Sequence, residues 1–246
     1  MVLKEIDINA DLGEGTGIDA AVMPFISSCS IACGGHFGNK ATMGSTIELA
    51  KEYSVKVGAH PSFPDANNFG RKILNLPKSE LKESILNQLT DFYKACEEGE
   101  VPVHHIKLHG ALYNYAIINS PTADAVIEAI MDSGKRPKLY VPHNSILAEK
   151  AKNRLPLVYE AFIDRRYNDD LTLLTRGDSA AVIESSEEAW EQLLTMIYKK
   201  EVQTVQGNKR TIKASTFCIH GDNRNCIEIL EYIRDRMRTN SLSLLK

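Results

Sequence analysis

Seven segments of strand length alternate with helical patterns from one end of the chain to the other. No other feature narrows the choice of fold as much. The strand candidates cover residues 6–10, 29–33, 55–59, 103–108, 138–141, 157–161 and 216–219. Several carry β-branched residues and are bounded by Gly, Pro, Asn or Asp. Helical spacing of apolar residues is found over 42–53, 79–96, 122–131, 190–198 and 223–237. Ser79 is a candidate N-cap, Pro121 stands at a first helical position, and Ser185 with Glu188 forms a capping box. Repeated β→α units without a linker predict one parallel α/β domain spanning 1–246. The rhythm breaks over roughly 167–214, where Gly207-Asn208 between two short alternating runs predicts a hairpin-containing insertion before the last strand.

Length and charge close off other classes. The chain has 246 residues, a length that one β/α barrel fills. Its formal net charge is −3, so no basic excess exists to neutralise phosphates, and nucleic acid is not an expected partner. No apolar run approaches a membrane span, and acids stand where a signal peptide needs an apolar stretch, which predicts a cytoplasmic protein without a membrane partner. The five cysteines, odd in number and mostly in apolar surroundings, predict reduced buried thiols.

The polar residues gather at strand ends. In the first strand Asp7, Asn9 and Asp11 share one face by period two. Five of the seven histidines fall at or just past a strand's C-terminal end: His36, His60, His109, His143 and His220. In a parallel α/β domain these ends share one rim, where Asp11, Glu160, Asp164 and Asp222 would join them. Asp222 taken alone could simply cap the last helix. His105 and His109 have H-x-x-x-H spacing, but a strand sets them roughly 13 Å apart, too far to share an ion. No P-loop motif occurs. Gly13 to Gly17 reads as a tight turn, and the Gly34–Gly38 turn as an anion nest or a plain strand-to-helix turn.

Asp7-Ile8-Asn9-Ala10-Asp11-Leu12-Gly13-Glu14-Gly15 resembles the opening signature of the LamB/YcsF lactam-utilisation family. Further blocks match in order: Ile31-Ala32-Cys33-Gly34 with His36, Gly58-Ala59-His60-Pro61-Ser62-Phe63-Pro64-Asp65 with Phe69-Gly70-Arg71, Lys107-Leu108-His109-Gly110-Ala111-Leu112-Tyr113-Asn114, Asp164-Arg165-Arg166-Tyr167, and Cys218-Ile219-His220-Gly221-Asp222. The chain departs from the usual pattern at Gly35, Phe37, Asn39, Lys72 and Leu108, and lacks the Gly of an Asp-Gly pair near Asp169-Asp170. The change at Asn39 removes a carboxylate from beside His36.

The resemblance implies a seven-stranded TIM-like β/α barrel of the glycoside hydrolase/deacetylase type. It implies the A subunit of a 5-oxoprolinase that works with B and C subunits and couples opening of 5-oxo-L-proline to ATP hydrolysis. The expected catalytic set is Asp11 as base, His109 or His220 as proton shuttle, and Lys107 or the Gly34–Gly38 turn for developing negative charge, with Glu160 and Asp222. The expected substrate set is Asn9, His36, His60 and Asp164, with Arg71, Arg165 or Arg166 clamping the substrate carboxylate. ATP is the expected cofactor, handled with the partners. A metal is left open; if bound, it would sit on His36 and His60 with Asp11. Two other readings compete: a stand-alone metal-dependent amidohydrolase or deacetylase, and a substrate-binding regulatory subunit without catalysis of its own.

Overall fold

The computed structural model describes residues 4–246. Seven parallel strands close into a barrel: β1 (Lys4–Leu12), β2 (Ser28–Ala32), β3 (Lys56–His60), β4 (Val103–Lys107), β5 (Lys138–Val141), β6 (Leu157–Phe162) and β9 (Thr216–His220), with β9 pairing back onto β1. Each predicted strand is present, its ends within two residues of the expected ones. Between β6 and β9 lies an antiparallel hairpin, β7 (Glu201–Gln203) and β8 (Lys209–Thr211), turned by Gly207 at φ +82°. Asp169 anchors it, accepting from Thr204 at 2.6 Å and Asn208 at 2.7 Å. A last strand, β10 (Leu242–Leu244), pairs with the first half of β1.

The helices are α1 (Asp19–Val22), α2 (Lys40–Glu52), α3 (Lys78–Glu98), α4 (Gly110–Ala116), α5 (Ser120–Asp132), α6 (Ile146–Ala151), α7 (Ser186–Leu194) and α8 (Cys226–Thr239). The short α1, α4 and α6 carry too few turns to show a period in sequence. Three end assignments change. Ser79 lies inside the first turn of α3, which already starts after Pro77, so its hydroxyl has no terminus to cap. Asn119 caps α5 and puts Pro121 one place further in. Ser185 accepts from Glu188 N–H, but the Glu188 carboxylate goes to Arg166 and does not return to the cap.

Period two in β1 sorts the layers. Ile6, Ile8, Ala10 and Leu12 are buried in the apolar layer between strands and helices. Asp7, Asn9 and Asp11 point into the barrel, where they meet side chains from β2, β4 and β9. The barrel interior is thus polar, and its C-terminal mouth carries the long loops.

Candidate active site

A cavity of about 660 Å³ opens at that mouth. Its floor is Lys107 on β4, only 2% exposed. Lys107 Nζ lies 2.9 Å from Asp11 Oδ1, 3.0 Å from Glu160 Oε1, 3.1 Å from Asn9 Oδ1 and 2.9 Å from Cys218 Sγ. Burial alone would neutralise it, but Asp11 and its other neighbours hold its pKa well above the usual value. Asn9 and Cys218 take hydrogen bonds from the ammonium, and Asp11 and Glu160 pair with its charge.

Asp11, on the wall, is likewise fixed as a carboxylate. Burial works to raise its pKa, and the charges of His60 and Lys107 outweigh that and hold it well below the carboxylate range. A carboxylate held ionised this firmly is a weak proton acceptor. Glu160 also faces Lys107; Tyr113 donates to it at 3.0 Å, and it lines a smaller side cavity of about 180 Å³ with His143.

A histidine–carboxylate pair stands at the end of β9. His220 Nδ1 lies 2.9 Å from Asp164 Oδ1, and Asp164 also accepts from the His220 backbone N–H at 3.1 Å. Burial tends to raise Asp164, but the adjacent His220 keeps it below the usual range, as a carboxylate. It therefore sets the tautomer of His220, whose ring stacks on Phe162 and lines the cavity with Nε2 as the remaining nitrogen.

Across the cavity stands Glu14. Gly13 and Gly15, at φ +70° and +76°, turn the chain so that its carboxylate hangs over the barrel end. Glu14 Oε1 lies 2.9 Å from His36 Nε2, 3.1 Å from His109 Nδ1 and 3.7 Å from His60 Nε2. Burial opposes its charge, and the bonds to His109 and His36 overcome it, so its pKa falls well below normal. His36 itself is pushed down to about 4 by burial. His109 Nε2 donates to Phe69 O at 2.9 Å, so neither ring nitrogen is free to shuttle protons as expected.

The rim is cationic. Arg71, stacked over Phe69, and Arg176 both hold Asp222, and Arg165 is fixed by the carbonyls of Ala181 and Leu174. Asp222 thus organises arginines and does not cap the last helix.

Of the expected site residues, Asp11, Arg71, Lys107, His109, Arg165, His220 and Asp222 line the main cavity. Asn9, His36, His60 and Asp164 lie behind it, buried, and act on substrate only through other residues. Arg166 turns outward to pair with Glu188 on α7 and drops out of the clamp. The Gly34–Gly38 turn lies outside the main cavity. Gly34 and Gly35 border an outer groove with Glu80, Glu83 and Asp91, acids that disfavour an anion nest. Asn39 caps α2, accepting from Ala41 and Thr42, so no carboxylate is missing beside His36. Phe37 fits against the bare Cα of Gly15, where a Cβ would come 2.5 Å from its ring. Sequence reading missed Glu14, Tyr113 and Arg176. An acid set between two glycines just after the Asp11 strand was the available signal for Glu14; Arg176, in the irregular insertion, had none.

Among the described residues, two groups bring metal-type donors within 4.8 Å: Glu14, His36, His60 and His109, and Asp11, Cys218 and His220. The expected trio of Asp11, His36 and His60 does not converge, because Glu14 stands between His36 and the barrel.

The closed barrel and its mouth define a β/α-barrel protein with a buried cluster of carboxylates, histidines and a lysine at the C-terminal rim. The chain belongs to the LamB/YcsF family, whose model matches residues 6–246. It is 41% identical over 235 residues to the A subunit of 5-oxoprolinase from Pyrococcus abyssi, covering 93% of this chain and 92% of that protein. It is similar to the crystal structure of a lactam utilization protein from Thermus thermophilus, at 32% identity and TM-score 0.89 over 98% of each chain. A family 4 carbohydrate esterase from Streptomyces lividans shares the fold alone, at 9% identity and TM-score 0.50 over 99% of this chain and 92% of that one. Among the described residues no helix is long and apolar enough to cross a membrane.

Proposed function

We propose that this chain is the ring-opening A subunit of an ATP-dependent 5-oxoprolinase, converting 5-oxo-L-proline to L-glutamate together with B and C subunits. The observation that carries the reading is the Asp164–His220 pair, which presents one imidazole nitrogen to a cavity rimmed by arginines. The relatives named as A subunits of 5-oxoprolinase support the substrate and the complex.

A lactam is a poor electrophile, and its nitrogen is a poor leaving group. Transfer of the γ-phosphoryl of ATP to the lactam oxygen, assigned to the assembled complex, makes the ring carbon electrophilic. Water then adds to that carbon, giving up a proton to His220 Nε2. The C–N bond breaks as the nitrogen takes the proton from His220, leaving γ-glutamyl phosphate, and a second water hydrolyses this acyl phosphate to glutamate and phosphate with loss of a proton to solvent. Asp11, held ionised, accepts a hydrogen bond from the water and orients it. Arg71 and Arg176 receive the substrate carboxylate.

The test is ATP-dependent glutamate release from 5-oxoproline, by this chain alone and with its partner subunits. Release is expected only from the reconstituted complex, and Asp11→Asn, whose amide oxygen still accepts but carries no charge, is expected to lower it. Robust ATP-dependent release by the single chain would overturn the assignment to a complex. ATP-independent hydrolysis by the chain alone would favour the metal-dependent amidohydrolase, a reading that the Glu14–histidine cluster supports.

A further inference from the structure

His60 and His109 meet at 85°, with His60 Nε2 3.0 Å from His109 Nδ1. The other nitrogen of each ring lies against a backbone carbonyl: His60 Nδ1 is 2.8 Å from Lys107 O, and His109 Nε2 is 2.9 Å from Phe69 O. A carbonyl only accepts, so in a neutral ring the proton sits on that nitrogen. The two facing nitrogens then both present lone pairs. Glu14 Oε1 adds another acceptor, 3.1 Å from His109 Nδ1, and Asp11 Oδ2 lies 3.4 Å from His60 Nε2. Burial opposes a charge on His60, but Asp11 and Glu14 raise its pKa, so with no ion a proton on His60 Nε2 fills this place, and a metal would displace it.

His36 plays a different part. Its Nε2 reaches Glu14, while its buried Nδ1 has no partner among the described residues. A proton on Nε2 lets the ring donate to Glu14; a proton on Nδ1 would be buried unpaired. The ring also lies parallel to His109, 3.6 Å away at 2°, so the in-plane lone pairs of these two rings do not converge.

We propose that His60 Nε2, His109 Nδ1 and the Glu14 carboxylate bind a divalent transition metal of the zinc class, with one position open to the cavity, while His36 orients Glu14 from outside the coordination shell. Two imidazoles and a carboxylate with an open position form a catalytic type of zinc site. Ligands about 2.0–2.1 Å from a tetrahedral ion stand roughly 3.3 Å apart, close to the separation of the two nitrogens. The carbonyl partners on both rings are the outer support such sites use. The loop is shaped to provide one of them. Phe69 holds a left-handed φ of +53°, rare for a bulky residue, and a Cβ on Gly70 would come 2.9 Å from both His36 and His109.

When bound, the ion would supply a Lewis acid to the ring opening proposed above, and the inference rests on that cavity being the reaction site. Binding is read on the single chain without substrate, nucleotide or partners, so its outcome is separate from turnover. The chain is stripped with chelator, then titrated with Zn²⁺ by calorimetry and with Co²⁺ by visible absorption. One equivalent of Zn²⁺ is expected, with the intense visible bands of low-coordinate Co²⁺. His109→Gln and Glu14→Gln, each confirmed folded by thermal unfolding without metal, should lose both signals. His36→Gln should keep the one-to-one stoichiometry and the Co²⁺ bands, with affinity lowered about 10–100-fold. A wild-type chain that takes up no stoichiometric metal overturns the proposal. So does binding that survives both His109→Gln and Glu14→Gln, or Co²⁺ bands lost in the His36 variant and retained in the other two.

Discussion

The barrel interior holds two polar tiers, one that moves toward neutral groups and one that keeps its charges. The lower tier joins Asp7 to Ser28 and Thr216, Ser28 to Tyr140, and His105 to Ser30, with the His105 and Tyr140 rings stacked 4.0 Å apart. There burial dominates: it raises Asp7 and pushes His105 well below its usual value, so both move toward the neutral form. The upper tier joins Asp11, Lys107 and Glu160, with Asp164 and His220 beside them. Burial opposes charge there too, but opposite charges stand within about 3 Å and reverse the outcome for Asp11, Lys107 and Asp164. Burial by itself therefore does not decide protonation in this barrel. The nearness of a counter-charge does: Lys56 and Lys138 favour the Asp7 carboxylate without overcoming its burial, whereas the upper tier has counter-charges within about 3 Å.

The strongest way to break this contrast is to remove the shared cation. Lys107→Met takes the shared cation from the Asp11 and Glu160 carboxylates, and a loss of about 3–5 kcal/mol in unfolding free energy is expected. Urea denaturation checks it; a loss below about 1 kcal/mol, on the order of an exposed pair, would mean the tier is not held by charge. Next is the proton-transfer pair. Asp164→Asn keeps the shape of the side chain but no longer favours the His220 tautomer with Nε2 free, and should lower turnover of the reconstituted complex by about 10²–10⁴-fold. Single-turnover kinetics would show whether the ring-opening step is the one that slows.

The smallest effect separates the tiers by sign. Asp164 has a depressed pKa, so its stabilisation is present above the unfolded value near 3.8 and is lost as pH falls through the folded value. Asp7 has a raised pKa, so stability falls as pH rises from 3.8 through its folded value. Asp7→Asn, whose amide oxygen still accepts from Thr216, should be slightly more stable than the native chain at neutral pH, with the gap closing below pH 3.8. Asp164→Asn should be less stable at neutral pH, with its gap also closing in acid. Urea midpoints between about pH 3 and 7 test both, and a destabilised Asp7→Asn at neutral pH would end the comparison.

The strands and the inward face of β1 were legible because both follow from period two, and the rim was legible because parallel strands end on one side. Depth was not. His36 and His60 end their strands much as His109 does, yet the 61–71 loop covers them and leaves only His109 at the cavity. Arg165 and Arg166 are neighbours in a clamp-like motif, and extended backbone sends them opposite ways, one to the rim and one to Glu188. Position along a strand can be read from spacing. Which side of a loop faces the cavity depends on contacts made by distant segments.

β1 is paired on both sides by strands that arrive late. Its bonds to β9 join residues such as Asp7 and Thr216, 209 positions apart, and its first half waits for β10. The barrel cannot close around its charges until nearly all of the chain is present. Closure over so long a loop carries a high entropic cost before any contact repays it, which places folding toward the slow end for a domain of this size. Until then the β1 edge and the carboxylates of the mouth stay open to solvent, so this is the stage at which a chaperone or a protease would meet the chain.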